Sequence, residues 1–283
     1  MDEADFPAVQ AFLEAHIDTS VYLLSNMIDV GIRVSSSPMS GNFLLVEQGG
    51  ALAGVFCLTS RGDLLAQTGG RTEFARMILA ACRAEAHPIA GVLAEWRLAE
   101  ALWAALMPEV GYSAVYECKS IAYGITRVPA PRTVSEGLVI RAMTMADYEA
   151  WEPVDRAFCA EEGLAVMPDE PRRRNGYRLR ADVGGWWGAF SGELLVSTAC
   201  LNAGYKGVGQ VGGVYTRPAY RRLGIAQQVM HELMRYHEER MGLQEVVLFT
   251  AEHNQAGRAF YEAMGFSQRG QFGLLFRRRG DQR

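Results

Sequence analysis

The sequence has no apolar run near the roughly 20 residues that a bilayer-spanning helix needs. Its start, Met1-Asp2-Glu3-Ala4-Asp5, is acidic where a secretory signal would be basic. A positive excess is missing too: 28 Lys and Arg stand against 32 Asp and Glu, which argues against a broad nucleic-acid-binding face. Cysteine is scarce. The five, Cys57, Cys82, Cys118, Cys159 and Cys200, are widely spaced and form no metal-ligand pattern. They read as buried free thiols in a reducing compartment, and no metal is expected. These absences suggest a cytoplasmic protein that works neither in a membrane nor on nucleic acid.

What is present suffices for two cores: 283 residues, 49% hydrophobic and 21% charged. A seam is expected at Val128-Pro129-Ala130-Pro131-Arg132, because two prolines remove backbone donors and constrain their neighbours. The expected division is an N-terminal domain over 1–128, a linker over 129–137 and a C-terminal domain over 138–283. Charge divides unevenly as well. Residues 1–135 hold 9 basic against 14 acidic groups, and residues 136–283 hold 19 against 18.

In the C-terminal half, Leu138 to Ala142 reads as a strand, and Thr144-Met-Ala-Asp147 as an N-cap leading into a helix to about Cys159. An Arg-rich stretch from Glu161 to Arg180 reads as a mobile loop and a short helix. Strands near 186–190, 194–202 and 210–216 precede an amphipathic helix over about 223–241, in which Ile225, Val229, Leu233, Met234 and Met241 recur at helical spacing. A strand at 246–250, a helix at 255–264 and a closing strand follow. The N-terminal half shows a similar order, with Ser113 to Thr126 read as two short strands. Leu93-Ala-Glu-Trp-Arg-Leu-Ala-Glu-Ala-Leu-Trp103 also sits in step with Thr250-Ala-Glu-His-Asn-Gln-Ala-Gly-Arg-Ala-Phe260. The fold class is therefore α/β: two similar domains in tandem, each a mixed, mostly antiparallel sheet flanked by helices.

The segment richest in chemistry is Val214-Tyr-Thr-Arg-Pro-Ala-Tyr-Arg221-Arg222-Leu-Gly224-Ile-Ala226, which runs from a strand end through a proline turn into the long helix. Amides at a helix start lack intrahelical partners and carry the positive end of the helix dipole, so they bind anions. Gly224 lets a pyrophosphate approach the main chain, Ala226 keeps the next position small, and Arg221 and Arg222 add charge. A helix start rimmed by solvated arginines is the alternative reading.

This segment resembles the coenzyme A-binding motif of the GCN5-related N-acetyltransferase (GNAT) superfamily, Gln/Arg-x-x-Gly-x-Gly/Ala, with Arg221, Gly224 and Ala226 at its defining positions. A second stretch, Asn254-Gln-Ala-Gly-Arg-Ala-Phe-Tyr261-Glu-Ala-Met-Gly265-Phe266, resembles the family's pattern Asn-x-x-Ala-x-x-Phe/Leu-Tyr-x-x-x-Gly-Phe. The resemblance covers residues 138–277. It implies that acetyl-CoA is held by Val214, Tyr215, Thr216, Arg221, Arg222, Leu223, Gly224, Ile225, Ala226, Asn254 and Tyr261. It also implies that the strand through Thr216 splays from its neighbour, and that Tyr261 is the general acid protonating the departing thiolate. A core aromatic is the plainer reading of Tyr261.

A base is harder to place. Most amines are protonated at neutral pH, so a carboxylate or a water chain has to take a proton. Glu161 and Glu162 are the candidates, with Glu252 and His253 behind them, and each also reads as a solvated side chain. His231 and His237 read as an exposed helix face, Arg172 to Arg174 as a solvated loop and Arg277 to Arg279 as a frayed tail. Trp186-Trp187 reads as core packing or as the wall of an acceptor pocket.

The N-terminal half lacks both motifs: Gln67-Thr68-Gly69-Gly70-Arg71-Thr72 stands where the first would be, Arg97 faces Asn254 and Ala104 faces Tyr261. It reads as a degenerate copy, with a second, altered acyl-CoA pocket as the alternative. The expected activity is N-acetyl transfer from acetyl-CoA to a primary amine by direct attack on the thioester. A non-catalytic acyl-CoA sensor or assembly module is the competing class. The acceptor, the acyl length and the oligomeric state, a homodimer included, stay open.

Overall fold

The computed structural model describes residues 1–85, 87–127, 137–164 and 169–280. The expected linker lies, apart from Gly137, outside them. Contacts divide the chain into a first unit, Met1–Tyr123 with Phe249–Gln255 and Gln268–Arg283, and a second, Gly124–Leu248 with Ala256–Ser267.

In the first unit, helices α1 (Phe6–Glu14) and α2 (Ile17–Asp29) precede strands β1 (Gly41–Gln48), β2 (Ala51–Thr59) and β3 (Asp63–Gln67). Helix α3 (Ala75–Arg83) then leads to β4 (Gly91–Glu95), α4 (Trp96–Leu106) and β5 (Tyr112–Ile125). The last strand of the chain, β11 (Ser267–Arg279), lies between β4 and β5. β1 to β3 pair antiparallel, β3 and β4 are parallel (Asp63↔Gly91 to Ala66↔Ala94), and β11 runs antiparallel to β4 (Phe272↔Glu95 to Phe276↔Gly91). Ser113 to Thr126, expected as two strands, is one. Its second half is continuously buried, so no polar turn interrupts it.

The apolar face of α3 (Ala75, Ile78, Leu79, Cys82) meets that of α4 (Leu98, Ala99, Leu102, Leu106) over Leu64, Ala66, Val92 and Leu275. Burying Ile78 and Leu79 of α3 and three leucines of α4, at about 1.5–3 kcal/mol each, outweighs the modest propensity of such short helices.

The second unit opens with β6 (Leu138–Ala142). Thr144 and Asp147 then form a reciprocal capping box, and Asp147 also takes a bidentate pair from Arg141 at 2.6 and 2.8 Å. Helix α5 (Tyr148–Glu162) runs three residues past the expected end and stops at Gly163, which is left-handed at φ 69°. The Arg-rich stretch expected as a mobile loop and a short helix contains the twelve-residue helix α6 (Glu170–Ala181), capped by Asp169, with residues 165–168 outside the description. It forms because Tyr177 and Arg173 bury against α5: Tyr177 stacks among Tyr148, Trp151 and Trp186, and Arg173 reaches Glu152 at 2.9 Å.

The expected three-stranded meander is β7 (Trp186–Ser191), β8 (Leu194–Tyr205) and β9 (Val208–Thr216), all antiparallel. Helix α7 (Ile225–Met241), strand β10 (Glu245–Ala251) and helix α8 (Gln255–Ala263) follow. β10 runs parallel to β9 from Glu245↔Val208 to Leu248↔Val211. Meander, helix, parallel strand and helix thus recur in both halves. Among the described residues, no helix is long and apolar enough to cross a membrane. Four of the five cysteines are buried, Cys159 is half-buried, and all are free thiols.

Candidate active site

Three pieces of the second unit converge on the end of β9. The strand itself is irregular there. Thr198 pairs with Tyr215 but Cys200 with Gly212, so β9 carries one residue more than β8 across this step. Gly213 absorbs the bulge at φ 59°, and a Cβ there would lie 2.9 Å from the Trp186 ring. Two β8 hydroxyls clamp the bulged main chain: Thr198 Oγ1 donates to Gly213 O, and Ser197 Oγ to Tyr215 O, both at 2.9 Å. The register with β10 runs to Val211, while β9 continues five residues further to Thr216.

The chain then turns into α7. Arg217 ties the turn to β8, its amide donating to Val196 O at 2.9 Å and its Nε to Leu195 O at 2.7 Å. Pro218 to Tyr220 makes one 3-10 turn, Arg221 is extended, Arg222 is left-handed at φ 66°, and Gly224 caps the helix at φ 73°. The first intrahelical bond from this end is Gln228 N–H to Gly224 O, 3.2 Å, so the helix supplies no acceptor for the amides of Ile225, Ala226 and Gln227. Gly224 has no side chain to cap them, and a Cβ built at 224 would meet nothing within 4 Å. The start of α7 is therefore open, electropositive main chain, which fits the diphosphate of an acyl-CoA. Arg221, Arg222 and Leu223 are exposed around it, while Ile225 anchors the helix in the core.

The third piece is α5. Its stripe Trp151, Phe158 and Glu162 has helical spacing. Trp151 packs edge-on to Trp186 with ring centres 5.2 Å apart, and Phe158 meets Tyr215 at 6.4 Å. Glu161, exposed near the helix end, takes a 2.6 Å hydrogen bond from Arg221 Nη2. The same guanidinium donates through Nε to Thr216 O at 2.8 Å and lies 5.4 Å from the Tyr215 ring. Glu161 and Arg221, predicted in separate roles, are thus one ion pair.

Tyr261 on α8 is buried, 8% exposed, with its ring against Phe260 and Phe266. Burial raises the phenol pKa well above its ordinary value, and the Glu162 carboxylate raises it further. The hydroxyl therefore stays protonated, as a donor must. Asn254 stands just before α8, its amide donating to Ala251 O at 2.9 Å, and falls in the first unit together with Glu252 and His253.

Several expectations need correction. His237 does not lie on an exposed face: it is 4% exposed, with Nε2 3.1 Å from Gly184 O. Arg277 is no frayed tail. It is buried in β11, with Nε on Ile89 O and Nη1 on Leu106 O, both at 2.9 Å, and Nη2 2.8 Å from Glu109. Trp186 and Trp187 are both buried, in keeping with the core alternative. Ser197 and Thr198, which secure the bulge, were not singled out in the sequence, where a hydroxyl pair in a strand carries no distinguishing pattern. In the first unit a cavity of about 500 Å³ is lined by Thr72, Glu73, Arg76, Ala101, Ala104 and Ala105. Among the described residues, no group of three or more His, Cys, Asp or Glu could hold a metal.

The sequence profile of the acetyltransferase (GNAT) family matches residues 147–266. Among solved structures, a Drosophila protein aligns at TM-score 0.60 and 13% identity over 95% of each chain. A GCN5-related N-acetyltransferase from Sphaerobacter thermophilus aligns at TM-score 0.55 and 19% identity, over 94% of this chain and 91% of that one. A GNAT-family acetyltransferase from Colwellia psychrerythraea gives 0.51 and 16%, over 94% and 96%. At these identities the likeness is one of fold, and it extends over both halves. No curated protein matches the sequence.

Proposed function

Because the chain belongs to the GNAT superfamily through residues 147–266, we propose that it transfers an acetyl group from acetyl-CoA to a primary amine. Acyl transfer from an acyl-CoA is the activity the family carries; the acetyl group and the amine are our reading. The observation that carries it is the uncapped start of α7, with open space over Gly224 and two arginines beside it. A binding surface for a diphosphate needs those features and a core helix does not.

On this reading the diphosphate lies on the amides of Ile225, Ala226 and Gln227. The pantetheine arm follows Val214 to Thr216. The amine nitrogen attacks the thioester carbonyl, its N–C bond forms, and the C–S bond breaks to release CoA. The ammonium proton passes to a carboxylate, with Glu162 the candidate that is left once Glu161 is paired with Arg221, or to water. The Tyr261 phenol donates to the leaving sulfur. A phenol with its pKa raised by burial gives a hydrogen bond readily and a whole proton reluctantly, so its contribution is stabilisation of the developing thiolate.

A non-catalytic acyl-CoA-binding module is the second reading. It draws support from Glu161, one of two candidate bases, whose carboxylate is engaged by Arg221. Calorimetric titration of acetyl-CoA into the native protein and into Gly224→Glu tests the main reading. Micromolar binding lost in the variant is expected, followed by thioester turnover in an amine screen. No binding to the native protein sinks it, and binding without turnover by any amine favours the second reading.

A further inference from the structure

The Arg221–Glu161 ion pair sits where the proposed diphosphate site meets the last turn of α5. Resting on the acyl-CoA reading above, we propose that Glu161 is a counter-ion which the bound diphosphate displaces from Arg221, and that it is not the base. The guanidinium is held on three sides, by Thr216 O at 2.8 Å, by the Tyr215 ring at 5.4 Å and by Glu161 at 2.6 Å. Of the three partners only Glu161 is charged, and only it repels an incoming diphosphate. The backbone and ring contacts keep Arg221 in place when the carboxylate leaves, so the exchange requires only a side-chain rotation of Glu161.

The exposures fit such an exchange. Arg221 is 39% and Glu161 50% exposed, so water screens the pair and its rupture costs little. A phosphate offers the same guanidinium a charge-assisted partner with more charge. A general base, in contrast, is best left desolvated and unpaired so that its pKa approaches the working pH. Glu161 is neither.

A double-mutant cycle on acetyl-CoA affinity decides the matter, using the native protein, Glu161→Gln, Arg221→Gln and the double variant. Glu161→Gln is expected to tighten the dissociation constant about 2- to 5-fold, the worth of an exposed ion pair. That gain should vanish in the Arg221→Gln background, and the pH profile of kcat should keep its acid limb. Equal tightening in both backgrounds would reduce Glu161 to long-range repulsion and overturn the proposal, as would no change or weakening. Loss of the acid limb in Glu161→Gln would restore it as the base. Native protein that binds no acetyl-CoA would instead remove the function on which the proposal stands.

Discussion

The Tyr261 phenol is held above its ordinary pKa first by burial and then by the Glu162 carboxylate, which links the last residue of α5 electrostatically to the last turn of α8. A core tyrosine needs no such neighbour. On the proposed reading the phenol donates to the sulfur, and Glu162 is the carboxylate of α5 whose field it feels. The relationship also separates Glu162 from Glu161, which adjoins it in sequence and points instead to Arg221.

Tyr261→Phe keeps the ring packing against Phe260 and Phe266 and removes only the donor. With an amine that supports turnover, kcat should fall on the order of 10²-fold while the KM for acetyl-CoA stays within about 2-fold. Steady-state kinetics measure both. An unchanged kcat would return Tyr261 to the core.

Arg277 gives a prediction about stability. Its guanidinium satisfies the carbonyls of Ile89 and Leu106, pairs with Glu109 and lies 4.0 Å over the Tyr112 ring. Arg277→Ala leaves the buried Ile89 carbonyl without a donor and takes one of two donors from Leu106 O, while Glu109 keeps its pair with Arg83, so it should cost about 1–3 kcal/mol, the range for an unsatisfied buried group. Arg278→Ala and Arg279→Ala remove exposed side chains and should stay within about 0.5 kcal/mol. Urea unfolding of the three variants would show Arg277 alone shifting the midpoint, whereas equal shifts would mean that the buried contacts contribute nothing.

What the sequence disclosed and what it hid follow from range. The β7–β9 meander, the start of α7 at Gly224 and the Tyr261 motif depend on periodicity and local spacing, and they were legible. Of α6 only a short helix without bounds was legible, because seven of its twelve residues are charged or amide-bearing and its two buried side chains find partners on another element. Arg277 reads as a tail until Ile89 and Leu106, 188 and 171 residues away, supply carbonyls. Glu161 has its ion-pair partner 60 residues on, beyond the reach of local spacing.

The buried His237 and the half-buried Asp155 predict opposite responses to pH. Burial lowers the pKa of His237 below 6.5, against a raising contribution from Gly184 O, so the folded state prefers the neutral ring. As pH falls through about 6.5 the unfolded chain takes the proton first, and this contribution to stability is lost. Asp155 behaves in reverse. Burial pushes its pKa up to about 6; Arg173, Arg156 and Arg180 offset this in part, and Glu152 adds to it. The folded state therefore holds the proton between about 4 and 6, and stability falls as pH rises through that window. Asp155→Asn should thus raise the melting temperature at pH 7.5 and lose the gain near pH 4, while His237→Gln should flatten the decline between about 6.5 and 5. Thermal unfolding of both variants across pH 4 to 8 measures this. A lower melting temperature for Asp155→Asn at pH 7.5 would mean that its arginine neighbours stabilise the carboxylate more than burial opposes it.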